Sequence, residues 1–118
     1  MKRNVIKEKS FAFAIDIVKI YKTLVNKHRE FVMSKQLLRS GTAIGALYRE
    51  AEYAESKKDF IHKMGIAQKE CNETLYWLEL LNETDYLDKT SFKKLYEKAQ
   101  ELMRLITSII RSSKGLNN

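Results

Sequence analysis

The chain has 118 residues, of which 44% are hydrophobic and 31% charged, and its formal net charge is +7. That length is one domain's worth, and the composition is that of a folded globule, which excludes disorder. No apolar run approaches the roughly 18 residues of a membrane span. The single cysteine, Cys71, excludes an internal disulfide. Proline is absent and glycine occurs four times, so long helices can run unbroken.

Met1, Lys2 and Arg3 look like the start of a secretory signal, but Lys7, Glu8, Lys9, Asp16 and Lys19 interrupt the apolar stretch that should follow. The expected location is therefore the cytoplasm. The first predicted helix covers about 6–28, with Ile6, Phe13, Ile17, Ile20, Tyr21 and Leu24 on one face and Lys19 and Lys22 pointing away. The second covers 35–54, with Ser34 as its N-cap and Leu37, Ile44, Tyr48 and Ala51 as its stripe. Gly41 and Gly45 lie in the middle of this helix. They lack the spacing of a phosphate-cradling loop, so they predict close approach of a neighbouring helix.

The third helix, 56–82, starts at a capping box, Ser56 with Asp59 three residues on, and carries Phe60, Met64, Ala67, Cys71, Leu75, Leu78 and Leu81 as its stripe. The fourth, 91–112, follows Thr90 or Ser91 and presents Phe92, Leu95, Ala99, Leu102, Met103, Ile106, Ile109 and Ile110; residues 113–118 are expected to fray. Short connections make consecutive helices antiparallel. The expected fold is all-α: one domain over 1–118, an up-down-up-down four-helix bundle.

The charge is uneven. Residues 1–33 carry eight Lys and Arg against three Asp and Glu, 56–88 carry four against seven, and 89–118 carry seven against two. The two basic segments form the first and fourth helices, which are neighbours in such a bundle, so their fields add and favour a polyanion. On the fourth helix Lys93, Arg104 and Arg111 share a direction and make a ridge about 27 Å long. Either it contacts nucleic acid, with Lys19 and Lys22 as secondary contacts, or it is a solvated face interrupted by Glu97.

Chemistry-bearing constellations are missing. His28 and His62 are the only histidines, and the single Asp59-x-x-His62 has no second motif to complete a bundle metal site. Neither a metal nor a cofactor is expected. Cys71 reads as a core residue, and Glu70 and Glu73, on the solvent side of the third helix beside Lys63 and Lys69, read as a salt-bridged surface. Ile66, Trp77 and Leu80 cluster opposite the core stripe of the third helix, with Tyr76 near Leu80, and Ile15 lies on the polar side of the first. These are expected to be exposed in a monomer, and Ile66, Trp77 and Leu80 are assigned to a subunit interface.

Several runs resemble a known family: residues 34–46 (SKQLLRSGTAIGA), 54–61 (AESKKDFI), 67–70 (AQKE) and 73–78 (ETLYWL), with 6–14 (IKEKSFAFA) and 105–110 (LITSII) at the ends. The chain is similar to the bacterial four-helix-bundle proteins encoded within intervening sequences of 23S ribosomal RNA genes. Leu47-Tyr48 stands where an Asn-Ile pair is expected, which removes a polar position. The resemblance implies a homo-oligomer, a ring of five, and no catalytic residues. It also implies distant kinship to an accessory protein of diversity-generating retroelements that binds nucleic acid and a reverse transcriptase. The functional expectation is a non-enzymatic module that binds structured RNA through its phosphate backbone; the competing one is an assembly scaffold that contacts only protein.

Overall fold

The structure, a computed structural model, describes residues 4–116. Met1, Lys2 and Arg3, and the last two residues of the segment expected to fray, lie outside it. Four helices follow one another: α1 (Val5–Asn26), α2 (Met33–Ala51), α3 (Lys57–Glu83) and α4 (Lys89–Ser113). Among the described residues there is no strand. All-α bundle architecture is therefore as the sequence predicts, with boundaries shifted by one to three residues.

The helices surround the core as a ring of neighbours. α1 packs on α2, α2 on α3, α3 on α4, and α4 closes on α1 less intimately. Paired side chains give the directions. Lys7 meets Glu52 while Gly41 meets Ile17; Lys63 meets Glu50 while Arg39 meets Glu70; Gln68 meets Thr107 while Glu79 meets Tyr96. In each case rising numbers on one helix pair with falling numbers on the next, so consecutive helices are antiparallel.

The core is built from the predicted stripes. Phe13, Ile17, Leu24, Leu37, Ile44, Met64, Leu78, Leu81, Leu102 and Ile106 are fully buried. Leu75 differs from expectation: it is half-buried, and Thr74 occupies the buried position instead. Thr74 is satisfied there, donating to the Glu70 carbonyl at 2.8 Å and sharing a 3.0 Å hydrogen bond with the Ser40 hydroxyl across the α2–α3 seam. A buried hydroxyl with partners costs little, so a polar residue can stand in the seam between the two helices.

The glycines of α2 act as read from the sequence. A Cβ on Gly41 would stand 2.9 Å from the Ile17 side chain, and one on Gly45 would stand 3.2 Å from the Ser10 hydroxyl and 3.4 Å from the Ser10 backbone. Gly65 on α3 has nothing within 4 Å of such an atom.

The helix ends hold two corrections. Ser34 is not the cap of α2. The backbone cap is Val32, which has no side-chain acceptor, and Glu30 does the capping: its carboxylate accepts from the N–H groups of Val32, Met33 and Ser34 at 3.1, 3.1 and 2.7 Å. Ser34 instead sits inside the first turn and donates to the Glu30 carbonyl at 2.7 Å. Burial pushes the Glu30 carboxyl up, but the hydrogen bonds from Ser34, Met33 and Val32 together hold it below its ordinary value of 4.5. α4 is likewise capped one turn early, by Asp88, which accepts from the Ser91 N–H at 2.8 Å. Ser56 caps α3 as predicted, accepting from the Asp59 N–H at 3.0 Å.

The tail expected to fray is tied down as far as Leu116. Gly115 takes φ +75°, its N–H donates to the Ser112 carbonyl, and the Leu116 N–H reaches back to the Arg111 carbonyl at 2.8 Å. This is a Schellman closure, in which a left-handed glycine lets the chain satisfy the last carbonyls of a helix.

Two outcomes are expected from this packing. Gly65→Ala should raise stability by up to about 1 kcal/mol, because alanine is the better helix former and meets nothing. Gly41→Ala should lower it by about 1–3 kcal/mol, because buried Ile17 must move. Thermal melts of the two variants check this, and equal shifts would contradict the close contact. Glu30→Ala should cost about 1–2 kcal/mol, the value of a strong helix cap. Because the Glu30 carboxyl is lowered in the fold, its contribution is present above pH 4.5 and is lost as pH falls through the lower folded value. Urea midpoints of wild type and Glu30→Ala should therefore converge as the solution is acidified.

Candidate nucleic-acid interface

α4 carries six basic residues, and its buried side is occupied by Leu95, Ala99, Leu102 and Ile106. Lys93, Arg104 and Arg111 are therefore thrown to the opposite side, and all three are exposed. Among the described residues no carboxylate pairs with any of them. Arg111 donates to the Leu116 carbonyl at 3.2 Å, a bond that holds one amino group and leaves the rest of the guanidinium facing water. The bundle is 45 Å long, so a ridge of about 27 Å runs along more than half of it.

The first helix lies beside α4, as its place in the chain predicts. α1 and α4 are bridged by Lys9–Glu101 at 2.7 Å and Lys98–Asp16 at 2.6 Å. Next to the second bridge a groove of about 270 Å³ opens between them, lined by Asp16, Lys19, Ile20 and Thr23 of α1 and by Ser91, Lys94 and Leu95 of α4, with Asp16 already paired to Lys98. Lys19 and Lys22 are exposed and, among the described residues, form no ion pair. The groove thus has a lysine on each wall. Lys94 escapes the sequence reading because it points toward α1, off the line of the ridge, and only the packing brings it beside Lys19.

Acidic α3 is neutralised differently. Arg39 of α2 reaches across to Glu70 at 3.0 Å and to Glu73 at 2.6 Å, and the Trp77 indole N–H donates to the same Glu73 carboxylate at 2.9 Å. The Trp77 and Arg39 hydrogen bonds hold the Glu73 carboxyl below its usual range, and its bond and that of Glu70 raise the Arg39 guanidinium. Glu70 and Glu73 do form a salt-bridged surface, but the cation is Arg39 of α2 and not the Lys63 and Lys69 beside them on α3; Lys63 pairs with Glu50 instead. A carboxyl fixed in an ion pair is a poor proton carrier.

The residues assigned to a subunit interface are less exposed than expected. Ile66 and Leu80 are half-buried, and Trp77 packs against the core as well as bonding Glu73. The reason is α2, whose wide contact with α3 covers the side of α3 on which Ile66 and Trp77 fall. Tyr76 beside them, touching Trp77 edge-on at 5.0 Å between ring centres, is 56% exposed. Ile15 is exposed, as its position predicts.

Elsewhere, a larger cleft of about 670 Å³ lies between the end of α1 and the α3–α4 connection. Its walls mix Lys27, His28 and Lys89 with Glu83, Asp85 and Asp88, so it does not select a polyanion. Among the described residues no group of three or more His, Cys, Asp or Glu could hold a metal ion, and no helix is long and apolar enough to cross a membrane.

The fold and this surface define the class: a small antiparallel four-helix bundle with an uncompensated basic side. The chain belongs to the 23S rRNA-intervening sequence protein family, whose model matches residues 2–108. It is similar to a protein of unknown function from the S23 ribosomal protein family of Bacteroides thetaiotaomicron VPI-5482, solved by crystallography. The two are 54% identical, 90% of this chain and 98% of that one are covered, and the TM-score is 0.89. No curated protein matches the chain.

Cys71 is buried, its thiol donates to the Ala99 carbonyl at 3.3 Å, and burial pushes its pKa up to about 12. A thiol that stays protonated and shielded is no nucleophile. Alkylation of the native protein by iodoacetamide near neutral pH should therefore be negligible over hours and rapid in denaturant. Fast modification of the folded protein would overturn this account of the residue.

Proposed function

We propose that this protein is a non-enzymatic, cytoplasmic, homo-oligomeric bundle that binds structured RNA through its phosphate backbone. One observation carries the reading: Lys93, Arg104 and Arg111 of α4 are exposed along one ridge, interrupted by Glu97, and none of them has an ion-pair partner among the described residues. Such a surface attracts phosphates by releasing condensed counterions and has no means of reading bases, so sequence preference is weak and shape matters. The named residues act by charge and hydrogen bonding to phosphate oxygens, not by proton transfer. The family takes its name from intervening sequences of 23S rRNA, which supports RNA as the polyanion.

The oligomer part of the proposal multiplies a weak patch, since each added copy raises the effective concentration of the next contact. Five subunits is the number implied by the family resemblance, as is a reverse transcriptase as a further partner. A protein-only scaffold is the alternative. It is favoured by exposed apolar side chains at one end of the bundle, Phe31 and Val32 in the α1–α2 connection.

Titration of a structured RNA at several salt concentrations separates the two. Wild type should bind with an affinity that falls steeply with salt, and each lost phosphate contact should reduce the log–log slope by about 0.7–0.9. The Lys93→Glu, Arg104→Glu, Arg111→Glu triple variant should bind far more weakly and with a shallower slope. Equal binding by both proteins, or none by wild type at low salt, would leave the scaffold.

A further inference from the structure

We propose that the cleft between the end of α1 and the α3–α4 connection holds one unpaired guanine of a bound RNA, with the phosphate of that nucleotide between Lys19 and Lys94. The site rests on the RNA reading above and deepens it: the ridge attracts phosphates without reading bases, and the cleft reads one base.

The cleft and the α1–α4 groove are one trough. Ile20 and Thr23 line both, so the cleft of about 670 Å³ opens directly into the groove of about 270 Å³. Lys19 stands in the groove and Lys27 in the cleft, and the helix rises about 12 Å between them. A base with its sugar and phosphate spans such a length. The groove end suits the phosphate. Lys19 and Lys94 stand on facing walls, and the carboxylate there, Asp16, is already paired to Lys98 at 2.6 Å.

The cleft end has both signs of charge, and they do not cancel. Lys27, Lys89, Glu83 and Asp85 are exposed, and among the described residues none of the four forms an ion pair. Asp88 differs, because its two oxygens cap α4, accepting from the Ser91 N–H and the Ser91 hydroxyl at 2.8 Å each. Free carboxylates repel a polyanion but not a nucleobase, whose edge presents donors and acceptors without net charge. The cleft also has an aromatic corner. The His28 and Tyr86 rings stand at 87° with centres 6.2 Å apart, so a planar base can lie flat on one and meet the other at its edge. Unpaired RNA bases are bound on rings in this way and read at their Watson–Crick edges.

The carboxylates choose the base. Guanine sets two donors side by side, its N1–H and its N2 amino group, which match the two oxygens of one carboxylate; its O6 next to them accepts from Lys27 or Lys89. Adenine and cytosine each set one amino group beside an acceptor nitrogen, which a carboxylate repels, and uracil has a single N–H between two carbonyls. Asp85 is held rigidly for this contact. Its φ is +66°, in a turn closed by the Tyr86 N–H on the Leu81 carbonyl at 2.9 Å, and buried Leu87 anchors the connection. Glycine is the residue such a position favours, so the aspartate stands there at a backbone cost.

Two hairpin RNAs test this. They share one stem, and their uracil loops differ only in carrying one guanine or one adenine; binding is followed by fluorescence anisotropy at fixed salt. Wild type should bind the guanine loop about tenfold more tightly. The Glu83→Gln, Asp85→Gly double variant should bind the two loops alike. Its thermal melt should not fall, because glycine suits the +66° position and Glu83 is exposed. Losing two carboxylates strengthens general attraction to RNA, so the ratio of affinities is the readout. Lys94→Ala should weaken both loops, lower the log–log salt slope by about 0.7–0.9 and leave the ratio unchanged. Guanosine monophosphate should displace the guanine loop at lower concentration than adenosine monophosphate does. Equal binding of the two loops by wild type, or a preference that survives the double variant, would overturn the guanine site, while salt-dependent binding weakened by the ridge variant would leave the RNA reading standing. An unchanged slope for Lys94→Ala would overturn the position of the phosphate. Discrimination between the free nucleotides without discrimination between the loops would make a free nucleotide the ligand and overturn the assignment to RNA. No binding of either RNA at low salt would remove the RNA reading and this site together.

Discussion

Ile17 fills the space that a side chain at position 41 would need. That one contact draws α1 and α2 together and sets their register, and the hydrogen bond from neighbouring Ser40 to Thr74 passes the register on to α3. Interiors are packed too densely to absorb an extra methyl group freely. Gly41 therefore fixes a helix spacing and, through it, the height at which every surface residue of α1 and α3 stands.

The same packing divides the surface into electrically different sides. Where α2 crosses α3, Arg39 holds Glu70 and Glu73, and the most acidic stretch of the sequence is partly neutralised within the fold. Where α1 meets α4 the bridges are few, Lys9–Glu101 and Lys98–Asp16, and the surplus lysines and arginines remain facing water. Surface ion pairs of this sort are each worth at most about 1 kcal/mol. Their importance lies in the long-range field they leave behind, since a one-signed surface steers polyanions and a paired one does not.

Family membership and a 54% identical crystal structure place the fold beyond argument, but fold does not carry function. The functional reading rests on a solvated basic ridge, with Lys19 on a wall of the α1–α4 groove beside it on the neighbouring helix.

The sequence by itself determined four helices, their antiparallel order, the core stripes, the close approach at Gly41 and Gly45, and the direction of Lys93, Arg104 and Arg111. Each follows from a period of 3.6 residues and short connections, which are local properties. Three features were decided only by tertiary structure. Glu30 caps α2 because the turn after α1 folds its carboxylate back onto three N–H groups, whereas a search for a short polar residue next to the helix finds Ser34. Thr74 rather than Leu75 takes the buried position, where the Ser40 hydroxyl across the α2–α3 seam gives it a partner. Trp77 is half-buried because α2 covers that flank of α3 and supplies Arg39 to hold its glutamate. A helical wheel gives a residue's direction but not what stands in that direction, and burial, capping and pairing are properties of what stands there.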